Sequence, residues 1–82
     1  MLNVDYRPIF LNKISKIKDN SVKEQIKKKI KKIIESPDIG KPMRYVRKGT
    51  REIYLGSFRL SYSYLVNEGK LIFLNLYHKN AQ

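Results

Sequence analysis

Apolar residues change their spacing twice along this chain, and the changes divide it into three parts. Near the start they alternate weakly, at Leu2, Val4 and Tyr6, which suits a short strand. From Pro8 to Glu35 they recur every three or four residues, the spacing of helices that bury one face. From Thr50 to Lys79 they alternate again, in three aromatic-rich runs separated by Gly56-Ser57 and by Asn67-Glu68-Gly69. Loops of that length and composition join antiparallel strands, because glycine accepts the positive φ of tight turns.

The middle part predicts two helices. Pro8 suits a first helical turn, where its missing N–H costs nothing. Phe10, Ile14 and Ile17 then mark a short amphipathic helix over Pro8–Lys18. Asp19-Asn20-Ser21 breaks it. Asn20 or Ser21 caps the second helix, with Glu24 completing a capping-box pattern. That helix runs over Val22–Glu35, with Val22, Ile26, Ile30, Ile33 and Ile34 as its apolar stripe. Lys23, Lys27, Lys28, Lys31 and Lys32 fill its other side. A short connection predicts an antiparallel helical hairpin. Pro37 and Pro42 bound a loop, and Met43–Lys48 (MRYVRK) reads as one more short strand.

The turns also predict a register. With Gly56-Ser57 as a two-residue loop, Leu55 faces Phe58, Tyr54 faces Arg59 and Ile53 faces Leu60. With Asn67-Glu68-Gly69 as a three-residue loop, Tyr62 faces Leu74, Leu60 faces Leu76 and Arg59 faces Tyr77. Alternation then assigns Ile53, Leu55, Leu60, Tyr62, Tyr64, Ile72, Leu74 and Leu76 to a core face. Tyr54, Arg59, Ser61, Ser63, Asn75, Tyr77 and Lys79 take the other. The expected fold is α+β in the order β-α-α-β-β-β-β, one domain over residues 1–82. Its helical hairpin packs on one face of a mainly antiparallel, twisted sheet.

Charge sharpens this picture. Eighteen Lys and Arg against seven Asp and Glu give a net charge of +11 over 82 residues. So strong a field attracts polyanions, with nucleic acid first, then an acidic protein, then an anionic membrane surface. Lysine richness also follows genome composition or a hot habitat. That explanation fits the lysines better than the five arginines, four of which lie between Arg44 and Arg59. No stretch approaches a membrane span, the first ten residues lack signal-peptide organisation, and cysteine is absent. A cytoplasmic protein without a membrane partner is expected.

The residue inventory narrows the chemistry. Without Cys there is no thiol nucleophile or thiolate metal site, and the single histidine, His78, makes no His-rich metal cluster. The glycines form no phosphate-cradling or dinucleotide motif, so no cofactor or metal is expected. Glu52 is the one acid within the meander strands, which argues against a two-carboxylate hydrolase. What remains is Arg, Lys and Tyr. Such a set serves RNA cleavage, because RNA supplies its own 2′-OH nucleophile and arginine matches phosphate geometry. The row Tyr54–Arg59–Tyr77, with Lys79 beyond it, is the candidate centre. The plainer reading is a solvated arginine resting on two tyrosines. The helical lysines are likewise either a solvated face or a surface for phosphates or an acidic partner. His78 falls on the core side of its strand and reads as a polar residue at the sheet margin or as a catalytic group.

The sequence resembles the RelE/ParE toxin superfamily, and within it archaeal RelE-type toxins. The residues that carry the resemblance begin with the Lys-rich second helix ending in Glu35-Ser36-Pro37. They continue as Gly40-Lys41-Pro42-Met43-Arg44, Gly49-Thr50-Arg51-Glu52, Gly56-Ser57-Phe58-Arg59-Leu60-Ser61-Tyr62 and Leu76-Tyr77-His78-Lys79. The resemblance implies a toxin that cleaves mRNA in the ribosomal A site and is silenced by a RelB-type antitoxin with an acidic or amphipathic segment. Arg59 matches the arginine that follows the Gly-x-aromatic turn and binds phosphate or the transition state. Lys79 falls where a basic residue follows the last strand, and His78 where some relatives use histidine or lysine. Where some members have paired lysines, this chain has Glu52 and Tyr54. The general acid and base are therefore unassigned, with Lys48, Arg51, Tyr54 and Tyr77 as candidates. Arg44, Arg47, Lys27, Lys28 and Lys31 are candidates for contact with RNA or the ribosome. The superfamily also holds ParE toxins, which poison DNA gyrase and are not nucleases. Arg59 and the basic end of the final strand fit the RelE branch.

Overall fold

Pairing of the strands β1 (Asn3–Tyr6), β2 (Lys41–Pro42), β3 (Thr50–Leu55), β4 (Phe58–Leu65) and β5 (Lys70–His78) gives one five-stranded sheet, ordered β1-β5-β4-β3-β2. The structure is a computed structural model and describes residues 2–43 and 49–81. The strand expected over Met43–Lys48 lies outside the described residues beyond Met43. The described strand in this region is the shorter β2, antiparallel to β3 through Lys41↔Glu52 and Pro42↔Arg51. β1 runs parallel to β5, and the other pairings are antiparallel. Two helices, α1 (Pro8–Ser15) and α2 (Asn20–Glu35), cover one face of the sheet. Among the described residues no helix is long and apolar enough to cross a membrane.

Helix boundaries follow local chemistry. Pro8 opens α1 as expected, but the helix ends at Ser15, short of Lys18. α2 is capped by Asp19, not by Asn20 or Ser21. The Asp19 carboxylate accepts from Ser21 N–H at 2.8 Å and Val22 N–H at 3.4 Å, satisfying amides that lack helical partners. Phe10, Ile26 and Ile33 turn into the core and meet Leu55, Leu60, Tyr62, Leu71, Phe73 and Leu76. Phe10 stacks on Phe73 at 5.3 Å, and Tyr6 stacks on the same ring at 5.2 Å.

The β3–β4 turn sets the expected register, with Ile53↔Leu60, Tyr54↔Arg59 and Leu55↔Phe58. Gly56 takes φ of 57° there, a conformation that costs other residues strain. The β4–β5 connection differs from expectation in two places. Val66–Glu68 form a 3-10 turn, so the strands meet first at Leu65↔Lys70 and the loop is one residue longer. A bulge then inserts Leu74 into β5, because Tyr62 pairs with Phe73 while Ser61 pairs with Asn75. The longer loop and the bulge cancel, so Leu60↔Leu76 and Arg59↔Tyr77 hold as expected. Between them the faces are exchanged. Leu71 and Phe73 are the buried residues, whereas Ile72 and Leu74, expected in the core, line a cavity with Ser61 and Ser63 on the sheet's other face.

Candidate functional site

β3 and β4 carry alternate side chains to opposite faces, which separates the two described arginines of the meander. Arg59 projects away from the helices. Its guanidinium lies 3.9 Å from the centre of the Tyr54 ring, a cation–π contact. One guanidinium nitrogen, Nη1, donates to the Gly56 and Phe58 carbonyls at 3.1 and 3.0 Å. Those bonds pin the group over the turn. They leave Nε and Nη2 turned to no partner among the described residues, and that edge of the fork matches two phosphate oxygens.

Tyr77 stands opposite Arg59 across the β4–β5 pairing. Its hydroxyl donates to the carboxylate of Glu52 on β3. The phenol thus reaches over β4, past Ser61, which pairs with both Glu52 and Asn75. A larger residue at 61 would stand in the way. Arg59, Tyr54, Tyr77 and Glu52 therefore form one cluster, with a cation, two phenols and a proton acceptor on one sheet face. Glu52 was not among the sequence candidates. Its signal was present, because the register that pairs Tyr54 with Arg59 also places Glu52 two residues along the same face.

Tyr54 also borders a second feature. β2 covers only the start of β3, so the end of β3 is an open edge beside α2. A groove of about 580 Å³ runs there, between Lys28, Lys31 and Lys32 on one side and Tyr54 and Gly56 on the other. Lys28 and Lys31 thus border the same groove as Tyr54. Lys27 is not in the groove. It makes an exposed ion pair with Glu24 at 3.8 Å.

The remaining candidates fall elsewhere. Arg51 faces the helix side, and its Nη1 donates to the Asp38 and Gly40 carbonyls at 3.1 and 2.7 Å. It holds the linker after α2 and does not join Arg59. Beside it Tyr62, fully buried, accepts from Gly40 N–H at 2.8 Å and donates to Pro37 C=O at 2.7 Å. Burial pushes the Tyr62 phenol above its usual pKa, against the smaller lowering effects of the Gly40 bond and the Arg51 charge. A Cβ at Gly40 would lie 2.4 Å from the Tyr62 oxygen, so only glycine fits there. His78 is exposed, edge-on to Phe58 at 5.7 Å, and its Nδ1 accepts from Asn80 N–H at 3.3 Å. Lys79 does not extend the Tyr77 row. The strand ends at His78, and Lys79 opens a 3-10 turn with its N–H on the Ser57 carbonyl at 2.8 Å. Arg44, Arg47 and Lys48 lie outside the described residues. No group of three metal-ligating side chains occurs among the described residues.

No curated protein matches the sequence. Among solved structures the chain is similar to the isolated Escherichia coli RelE toxin, with a TM-score of 0.78, 22% identity and coverage of 95% of this chain and 84% of that one. It is similar to the intact E. coli RelBE toxin-antitoxin complex, with a TM-score of 0.77, 24% identity and coverage of 93% and 94%. It is also similar to the Mycobacterium tuberculosis complex RelBE2, with a TM-score of 0.76, 19% identity and coverage of 94% and 96%. These likenesses fix the fold as RelE-like. The model of the family described as the ParE toxin of type II toxin-antitoxin system, parDE, matches residues 4–82, so the chain belongs to that family, within the RelE/ParE superfamily.

Proposed function

We propose that this toxin is an endoribonuclease that cleaves mRNA in the ribosomal A site and so stops translation. The observation that carries the reading is the open edge of the Arg59 guanidinium beside the Glu52–Tyr77 pair. In the proposed reaction the ribose 2′-oxygen attacks the adjacent phosphorus, and Glu52 takes the 2′ proton. The bond from phosphorus to the 5′-oxygen breaks, leaving a 2′,3′-cyclic phosphate, and water protonates the departing 5′-oxygen. Arg59 stabilises the charge that builds on the phosphoryl oxygens, and Tyr77 orients the Glu52 carboxylate. The lysines of α2 draw the RNA in by its charge, at a rate that falls with added salt. No metal or cofactor enters the scheme.

The partner in this reading is an antitoxin with an acidic or amphipathic segment, as RelB accompanies RelE in the E. coli complex. An antitoxin that binds only the folded toxin also stabilises so small a domain by mass action. The ribosome and mRNA are the targets, in the cytoplasm. A second reading, poisoning of DNA gyrase, draws on the ParE description of the matching family. Induced expression separates the two. The nuclease reading predicts early loss of translated messages without a DNA-damage response. Intact messages together with that response would replace it with the gyrase reading.

A further inference from the structure

The bulge in β5 has built a cavity on the face that carries Arg59. It encloses about 350 Å³, at the small end of the range for ligand pockets. Met43, Leu65, Ile72 and Leu74 supply apolar walls, Arg7 also lines it, and Tyr77 is shared with the Arg59 cluster. Were Leu74 regularly paired instead of bulged, unbroken alternation from Leu76 would send both Leu74 and Ile72 into the core. Bulges often re-aim side chains beside active sites in this way.

Three hydroxyls also line this cavity. Thr50, Ser61 and Ser63 are only 8%, 7% and 5% exposed, and none of their side chains has a hydrogen-bond partner among the described residues. No fully buried side-chain oxygen lacks a partner among the described residues, so each of these hydroxyls keeps some accessible surface. Such nearly buried, unpartnered hydroxyls are poised for a ligand with a polar edge. An apolar side chain from a protein partner would seal all three without hydrogen bonds, which is unfavourable.

We infer that this cavity is a nucleobase subsite, in which a base lies against Leu65, Ile72 and Leu74 and turns its polar edge to Thr50, Ser61 and Ser63. Hydroxyls both donate and accept, so they can read either kind of base-edge group. The placement suits one strand of RNA. Arg59, Ser61 and Ser63 follow each other on one face of β4 in steps of about 6.7 Å, comparable to the phosphate-to-phosphate step of an extended single strand. A phosphate on Arg59 thus leaves a neighbouring base over the cavity. The choice of ligand rests on the RNA reading above, and the cavity sets which nucleotide is preferred beside the cleaved bond.

The test is a titration of the full-length toxin, isotope-labelled, with AMP, GMP, CMP and UMP to millimolar concentration. Amide shifts of Ser61, Ser63, Ile72 and Leu74 are followed, with ribose 5-phosphate as the baseless control. The expected result is saturable movement with at least one nucleotide and none with the control. Ser63→Ala is expected to weaken that nucleotide roughly tenfold. Equal shifts from ribose 5-phosphate, or no shift from any nucleotide, would each overturn the inference. Base-dependent binding by a toxin that cleaves no message would leave the subsite standing and remove the nuclease. Cleavage without base-dependent binding would do the reverse.

Discussion

Arg51 and Arg59 lie on neighbouring strands of one sheet, yet the two faces use them in opposite ways. On the helix side the Arg51 guanidinium bonds to carbonyls of the linker, beside a buried tyrosine whose hydroxyl is satisfied twice. On the other side the Arg59 fork keeps an open edge, Tyr77 holds a carboxylate, and three hydroxyls line a cavity. One face is closed, as a core must be, because an unpaired polar group there is costly. The other tolerates unmet hydrogen-bonding capacity, which is what a binding surface requires. Arginine content alone is therefore a poor guide to function.

Substitutions on the closed face should act on stability. Tyr62→Ala removes the largest fully buried side chain among the described residues and is expected to cost about 3–5 kcal/mol, most of what a small domain has. Urea unfolding of the variant measures it. Arg51→Ala leaves two linker carbonyls without their donor, one of them near the surface, and should cost about 1.5 kcal/mol in the same assay. Were Arg51→Ala instead to abolish toxicity at unchanged stability, the division between faces would be wrong.

Tyr62→Phe gives a smaller effect with a distinct pH signature. At neutral pH it should cost about 1 kcal/mol, for the loss of two hydrogen bonds to backbone groups. The folded-state pKa of Tyr62 lies above its unfolded value, so the folded protein holds this proton more tightly. That contribution is complete below the unfolded pKa, near 10, and is lost as pH rises through the folded pKa. Urea midpoints measured from pH 8 to 11 should therefore fall more steeply for the parent than for Tyr62→Phe. Parallel curves would mean that Tyr62 is not the group responsible.

These residues also mark how far the sequence could be read. The Gly56-Ser57 turn is short enough to fix one register, and the Arg59 row followed from it. The second turn was harder, because Val66 joins the loop and Leu74 the bulge, two shifts that cancel at Tyr77. Alternation could not expose the exchange between them. Leu71, Ile72, Phe73 and Leu74 are all apolar, so either phase gives a plausible core. The cap of α2 was ambiguous for a similar reason, since Asp19, Asn20 and Ser21 all favour that position. Arg51 looked like Arg59 because nothing in the sequence shows that the linker carbonyls need a donor. The Glu52–Tyr77 pair depends on contact across an intervening strand, which emerges only when three strands are aligned.

In the proposed nuclease reading the face away from the helices carries cleavage, and its loss leaves the protein folded. The most direct test is the single-turnover rate at which Arg59→Ala cuts a translated message, compared with the parent. Removing one preorganised charge stabiliser should slow cutting about 10²–10³-fold, while the loss in urea unfolding, about 1.5 kcal/mol as for Arg51→Ala, leaves the protein folded. A folded Arg59→Ala protein that cuts at the parental rate would contradict the account.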